Sequence, residues 1–166
     1  MFGKFVIFRT IEADINLDFP FLTQRATLAL VPPNAEGLPE AARALVYLVE
    51  DETAVRAVTR LSLERADYEV VDFENAATAL AAIERRCPDL VITDVIMRGI
   101  DGVEFAKRVK KRHPQMPLVF ISGYAQSSMI KTVVSEDAIF LSKPFRSSDI
   151  VRAAARALAR AWVVAG

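Results

Sequence analysis

The sequence predicts a doubly wound α/β domain, in which a five-stranded parallel sheet with the strand order 2-1-3-4-5 carries helices on both faces. Five short runs are rich in Val, Ile, Leu and Phe, and four of them have no internal charge. Such runs are typical of strands buried on both faces of a parallel sheet. Stretches with helical periodicity separate the runs, and this alternation predicts successive βα units. The order 2-1-3-4-5 is a common one for a sheet of this kind.

The boundaries of the elements follow from periodicity and from helix-ending residues. The predicted strands are residues 45–49, 68–73, 90–93, 118–121 and 139–142. The predicted helices are, approximately, residues 52–65, 75–86, 102–112, 126–135 and 147–163. The apolar residues of the first helix predict one buried face, made of Val55, Val58, Leu61 and Leu63. The second and third helices end before Pro88 and Pro114, because a residue preceding proline disfavours helical geometry. Ser147 or Ser148 is the expected N-cap of the last helix.

A proline-rich stretch divides the chain near residue 44. Three prolines and one glycine fall within residues 31–40, a composition typical of linkers. The roughly 30 residues before it are too few to build an independent core. We therefore expect an N-terminal extension with its linker at residues 1–44 and one α/β domain at residues 45–163.

Composition limits the classes of function. The chain has 166 residues, with 21 Lys and Arg against 21 Asp and Glu, and this balance argues against direct nucleic-acid binding. The single cysteine, Cys87, excludes an internal disulfide and favours a reducing compartment. No apolar run approaches the roughly 18 residues needed to span a bilayer. We expect a cytoplasmic protein with no membrane insertion.

Four polar residues stand at the ends of four predicted strands: Asp51, Asp94, Ser122 and Lys143. The carboxyl ends of parallel strands meet at one edge of an open α/β sheet, and ligands collect there. Glu50 adds a third carboxylate beside Asp51. Three acids in one cleft repel each other, and a hard divalent cation such as Mg²⁺ relieves that repulsion. A hydroxyl and an ammonium beside the acids suit a phosphoryl group.

Each of these residues also has a simpler explanation when it is taken alone. The acids at 50–52 favour the start of a helix through its dipole, Ser122 before Gly123 is typical of a turn, and a lysine at a strand end is usually solvated. Pro144 after Lys143 allows a cis peptide bond, which would aim the ammonium inward. Their joint appearance at four separate strand ends favours a functional site.

Five segments match one known family. They are Val-Glu-Asp-Glu at 49–52, Thr-Asp-Val-Ile-Met at 93–97, Gly-Ile-Asp-Gly at 99–102, Ile-Ser-Gly-Tyr at 121–124 and Lys-Pro-Phe at 143–145. With these segments the chain resembles, over about residues 45–163, the receiver domain of two-component response regulators, which has the flavodoxin-like (CheY-like) fold. The resemblance implies Mg²⁺-dependent transfer of a phosphoryl group to Asp94, with Ser122 and Lys143 each contacting a phosphoryl oxygen. The metal ligands that it implies are Asp51, Asp94, Glu50 (mainly through water) and the carbonyl of Ile96.

The same resemblance implies a conformational switch. Ser122 would move toward the new phosphoryl oxygens, and Phe140 matches the switch aromatic of the family. Tyr124 and Ile96 would tune dephosphorylation by controlling the access of water. One departure is visible, because Arg98 stands where the family usually has proline. Either the loop is looser there, or Arg98 contacts a partner or the phosphoryl group.

The implied phosphodonor is a sensor histidine kinase or a histidine phosphotransfer protein, because the one histidine, His113, is expected on a surface loop. We also expect a homodimer through the fourth and fifth predicted helices, and no DNA-binding domain after the last helix. The chain would catalyse only its own phosphoryl transfer and dephosphorylation. Two alternatives stay open. One is a phosphatase of the dehalogenase type, which wants a second acid where Ile96 stands, and the other is a receiver-like interaction module that takes no phosphate.

Overall fold

The computed structural model describes residues 43–123 and 138–165, with side chains in the last helix as far as Ala161. The strands are β1 (Leu45–Val49), β2 (Glu69–Phe73), β3 (Leu90–Asp94), β4 (Leu118–Ser122) and β5 (Ile139–Ser142). The helices are α1 (Thr53–Arg65), α2 (Ala76–Arg85), α3 (Gly102–Arg112) and the C-terminal helix (Ser147–Ala165). The helix predicted at 126–135 lies outside the described residues, as does Tyr124. Within the described ranges, no helix is both long and apolar enough to cross a bilayer.

The five strands form one parallel sheet in the order β2-β1-β3-β4-β5, which confirms the predicted fold class. The register pairs Val49 with Thr93, the residue before Asp94, and pairs Asp94 with Ile121. It also pairs Ser122 with Ser142, the residue before Lys143. The ends of β1, β3, β4 and β5 are therefore level with one another, and the residues that follow them meet at one edge of the sheet.

An apolar layer covers each face of the sheet. On one face, Phe105 of α3 and Ala79 of α2 pack in a cluster with Tyr47 of β1. On the other face, Leu63 of α1 and Ile150 of the C-terminal helix pack in a cluster with residues of β1, β3 and β4. Strands β1, β3 and β4 are buried along their whole length, which explains why their sequences are continuous apolar runs without alternation.

The buried face of α1 differs from the predicted one. Leu63 is buried as expected, but Val58 and Leu61 are 61% and 46% exposed, and Thr59 and Ser62 are buried instead. The prediction was wrong at these positions. A serine can be buried when its hydroxyl is satisfied, whereas Thr59 is buried although its hydroxyl has no hydrogen-bond partner among the described residues. The Ser62 hydroxyl donates to the Val58 carbonyl at 2.8 Å and lies 2.9 Å from the Ser147 hydroxyl of the C-terminal helix.

Two valine-to-alanine substitutions test this assignment of the core. Val109 is buried in α3, whereas Val58 is exposed in α1. We expect Val109→Ala to lower the free energy of unfolding by about 2 kcal/mol, because it removes two buried methyl groups and leaves a cavity. We expect Val58→Ala to stay within about 0.5 kcal/mol of the wild type. Urea unfolding followed by circular dichroism measures both, and equal losses would contradict the assignment.

Candidate functional site

Three carboxylates meet at the C-terminal edge of the sheet. Glu50 and Asp51 directly follow β1, and Asp94 is the last residue of the neighbouring strand β3. One carboxylate oxygen from each residue lies within 4.8 Å of the others. Glu50 and Asp94 are buried, and Asp51 is partly exposed. The structure thus brings together the three acids that the sequence placed at strand ends.

Lys143 supplies a positive charge to this cluster. Its Nζ lies 2.6 Å from Asp94 Oδ2 and 2.9 Å from Glu50 Oε2. Its backbone N–H donates to the Ser122 carbonyl at 2.7 Å, which ties the end of β5 to the end of β4. The Lys143–Pro144 peptide bond is cis. Through its ion pairs, Lys143 after β5 contacts the acids at the ends of β1 and β3, across the intervening strand β4.

These contacts shift the pKa values of the buried groups. Burial raises the pKa of the Glu50 carboxyl above its ordinary value, Lys143 partly opposes this, and the nearby Asp94 charge adds to it. Burial alone would lower the pKa of Lys143, but the Asp94 and Glu50 carboxylates outweigh burial and raise it. Because the Glu50 pKa is raised on folding, its ionised form costs stability above that pKa, and the cost disappears as the pH falls through it. A further cation at the cluster would offset this cost.

The cluster has the properties of a site for a hard divalent cation. Glu50 Oε2 is buried, and Lys143 Nζ, 2.9 Å away, is its one partner among the described residues. Among the described residues, three carboxylates against the ammonium of Lys143 and the guanidinium of Arg98 leave one negative charge in excess. All the available ligand atoms are oxygens, which hard cations prefer. The residues present therefore fit such an ion.

Backbone donors fix the orientation of the two buried acids. Asp94 Oδ1 accepts a hydrogen bond from the Ile96 N–H at 3.1 Å, so that both carboxylate oxygens of Asp94 have a donor. Glu50 Oε1 accepts from the Glu52 N–H at 3.2 Å. The side chain of Ile96 is exposed beside the cluster. These hydrogen bonds hold the carboxylates in place before any ligand arrives.

Arg56 of α1 is a site-supporting residue that the sequence did not reveal. Its Nη1 donates to the carbonyl oxygen of Glu50 at 2.6 Å, and its Nε lies 3.2 Å from Asp72 Oδ2 at the end of β2. The guanidinium thus ties the loop after β1 to the neighbouring strand. The only sequence signal was its position five residues after Asp51, on the first turns of the helix.

Gly102 allows α3 to begin directly against the end of β3. A Cβ atom at this position would overlap the carbonyl oxygen of Asp94. The Gly102 N–H donates to the Val95 carbonyl at 2.9 Å, and the side chain of Asp101 caps α3 by accepting from the Glu104 N–H at 2.8 Å. Gly102 belongs to one of the five matched segments, but its packing role required the structure.

Two of the three residues expected to act in a switch, Ser122 and Phe140, lie within the described part of the chain. Ser122 is buried at the end of β4. Phe140 of β5 is half-buried, and its ring stacks on Phe120 of β4 with the centroids 5.1 Å apart and the planes 12° from parallel. Tyr124 lies outside the described residues, so its place relative to Ser122 stays a prediction.

Arg98 contacts the acidic cluster directly. Its backbone N–H donates to Asp51 Oδ2 at 3.3 Å, and its Nε lies 3.5 Å from the same oxygen. The sequence left open whether the loop is looser at Arg98 or whether Arg98 contacts a partner or the phosphoryl group. The structure shows a contact that the sequence did not predict, an ion pair between Arg98 and Asp51 within the acidic cluster.

Comparisons with known proteins point to one family. A family model described as the response regulator receiver domain matches residues 46–155. The response regulator receiver protein CpdR of Brucella abortus is 34% identical over 107 residues, which are 64% of this chain and 89% of CpdR. The DNA-binding transcriptional regulator NtrC of Escherichia coli K12 is 30% identical over 117 residues, which are 70% of this chain and 25% of NtrC. The chain thus spans about a quarter of the length of the NtrC sequences that it matches.

Solved structures define the same class of fold. NtrX from Brucella abortus superposes with a TM-score of 0.68 at 30% identity, over 74% of this chain and 28% of that one. The chemotaxis protein CheY4 of Vibrio cholerae superposes with a TM-score of 0.66 at 26% identity, over 70% of this chain and all of CheY4, 100%. The described residues therefore form an α/β domain of the CheY-like class.

The chain belongs to the response regulator receiver domain family of two-component systems. Receiver domains are phosphoacceptor signalling domains, and histidine kinases or phosphotransfer proteins phosphorylate them.

Two glycine-to-alanine substitutions test the approach of α3 to the acidic cluster. We expect Gly102→Ala to lower the free energy of unfolding by about 1–3 kcal/mol, because the new Cβ must displace the Asp94 carbonyl. Gly123→Ala is the matched control, since no atom of the described residues lies within 4 Å of a Cβ there. Thermal unfolding measures both variants. A Gly102→Ala variant as stable as Gly123→Ala would show that α3 does not approach β3 as described.

Proposed function

We propose that residues 45–163 form a receiver domain that accepts a phosphoryl group on Asp94. The observation that supports this most strongly is the convergence of Lys143 with the three carboxylates at the sheet edge. A positioned carboxylate is an oxygen nucleophile for covalent catalysis. Phosphoryl transfer depends mostly on positioning and on cations near the transferring group, and this cluster has both.

The proposed donor is a phosphohistidine on a sensor kinase or on a histidine phosphotransfer protein. An oxygen of Asp94 forms a bond to phosphorus while the phosphorus–nitrogen bond of the donor breaks. The imidazole leaves with the bonding electrons and takes up a proton from solvent. Negative charge spreads over the equatorial oxygens during this step. Lys143 already lies 2.6 Å from Asp94, so its ammonium is in place to contact one of those oxygens, and Ser122 contacts another.

We assign a Mg²⁺ site to the cluster, with Asp51, Asp94, Glu50 and the carbonyl of Ile96 as its ligands. Mg²⁺ bound there would neutralise the repulsion between the Asp94 carboxylate and an anionic phosphoryl group. Two observations support the assignment, namely the buried Glu50 carboxylate, whose Oε2 has Lys143 as its one partner among the described residues, and the excess of negative charge. Glu50 is buried and bound to Lys143, so it contributes mainly through water.

The proposed response runs from Asp94 to the β4–β5 edge of the sheet. Phosphorylation adds about 1.5 to 2 negative charges. Ser122 and Lys143 lie at the ends of adjoining strands and share a backbone hydrogen bond, so a shift of one moves the other. Ser122, Phe140 and Tyr124 are the proposed switch residues. The surface that changes would bind a partner or a second copy through residues 126–135 and the C-terminal helix.

We further propose that the protein is cytoplasmic, that residues 1–44 are an extension outside the receiver domain, and that it catalyses only its own phosphoryl transfer and dephosphorylation. A phosphatase of the dehalogenase type has no support from the site, because Ile96 presents an exposed apolar side chain where that class wants an acid. An interaction module that takes no phosphate is separated from the proposal by the following experiment.

Intact-mass spectrometry tests the phosphoacceptor. The wild-type chain, given Mg²⁺ and a small phosphodonor or a phosphorylated kinase, should gain an acid-labile adduct of about 80 Da. Asp94→Asn should gain none, because an amide is a poor nucleophile toward phosphorus. Asp101→Asn is the control and should be labelled like the wild type, since asparagine also caps a helix. A wild-type chain without the adduct would refute the proposal.

Lys143→Ala separates metal binding from the response. The three carboxylates remain in this variant, so it should still bind Mg²⁺, but it should lose the conformational change that follows phosphorylation. Hydrogen exchange of the β4 and β5 amides, with and without the phosphodonor, measures the response. Lys107→Ala, on the exposed side of α3, should respond like the wild type. Equal responses in wild type and Lys143→Ala would count against the switch.

A further inference from the structure

We propose that Arg98 competes with Mg²⁺ for Asp51 and thereby lowers the metal affinity of the site. This inference rests on the proposed function, because it assumes the same metal site. Arg98 makes two contacts to one oxygen, Asp51 Oδ2: its backbone N–H donates at 3.3 Å and its Nε lies 3.5 Å away. A cation that binds Asp51 through Oδ2 must therefore share or displace the contacts of Arg98.

The exposure of the three acids makes Asp51 the point of entry. The side chain of Asp51 is 24% exposed, against 0% for Glu50 and 8% for Asp94. An ion that arrives from water meets Asp51 first. The Arg98 side chain is 92% exposed and lies on this open side. The contact between Arg98 and Asp51 thus lies on the side of the cluster that is open to water.

The charges at the two ends of the cluster are balanced separately. Lys143 pairs with Asp94 and Glu50, whereas Arg98 pairs with Asp51. With both cations counted, three carboxylates retain one excess negative charge where Lys143 alone would leave two. Arg98 thus removes half of the excess charge that attracts a divalent ion. Arg98 therefore weakens Mg²⁺ binding, whereas a metal ligand would strengthen it.

The two contacts of Arg98 can be removed one at a time. Alanine removes the guanidinium and keeps the backbone N–H, whereas proline removes both, because it has no N–H. Lysine keeps the positive charge. The series Arg98→Lys, Arg98→Ala and Arg98→Pro therefore removes the contacts stepwise and shows how much each of them weakens Mg²⁺ binding.

Isothermal titration of the full chain with Mg²⁺ tests the proposal. We expect Arg98→Ala to bind Mg²⁺ about two- to fivefold more tightly than the wild type, the range set by the small energies of exposed ion pairs. Arg98→Pro should bind at least as tightly as Arg98→Ala, and Arg98→Lys should stay near the wild type. Arg112→Ala, which breaks an exposed ion pair with Glu84 in α2, is the matched control and should not change the affinity.

Salt gives a second measurement of the same competition. Exposed charges are screened as ionic strength rises, so the difference in affinity between wild type and Arg98→Ala should shrink at high salt. Equal affinities at low salt, or weaker binding by Arg98→Ala, would overturn the inference and leave the proposed function standing. Absence of Mg²⁺ binding in the wild type and in every variant would instead refute the proposed metal site.

Discussion

The ammonium of Lys143, placed between the Asp94 and Glu50 carboxylates, is the interaction on which the acidic edge of the sheet depends. Two buried acids that face each other without a cation would lose several kcal/mol to desolvation and repulsion. Lys143 follows β5, whereas the acids belong to β1 and β3, and β4 separates β5 from both. The ion pairs therefore cross-link strands that share no backbone hydrogen bonds.

The same edge keeps a surplus of negative charge, and this surplus suits it to bind a cation. Burial raises the pKa of Glu50, which shows that ionising it costs free energy. A fully balanced cluster would be more stable and would have little affinity for a cation. Hydrogen bonds also hold the acids in place. The Ile96 N–H donates to Asp94 and the Glu52 N–H donates to Glu50, while Arg56 donates to the Glu50 carbonyl. The excess charge therefore lowers the stability of the fold, while these hydrogen bonds keep the carboxylates ordered.

How far the sequence predicts this arrangement depends on the kind of interaction. The strands and their order were predictable because β1, β3 and β4 are buried on both faces and read as plain apolar runs. The meeting of Asp51, Asp94 and Lys143 was predictable because parallel strands end at one edge. The buried face of α1 was not, since Ser62 satisfies its hydroxyl within the fold. The roles of Arg56 and Gly102 depend on contacts to other elements, which no local pattern records.

The stack of Phe140 on Phe120 has a thermodynamic consequence for the β4–β5 edge. Stacked aromatic pairs contribute about 0.5–1.5 kcal/mol beyond their buried area. A rotamer of Phe140 that leaves Phe120 forfeits this energy, so this contact alone favours the stacked rotamer by roughly two- to tenfold. The side chain at position 120 therefore biases the equilibrium of the ring at position 140, although it adds no charge to the acidic cluster.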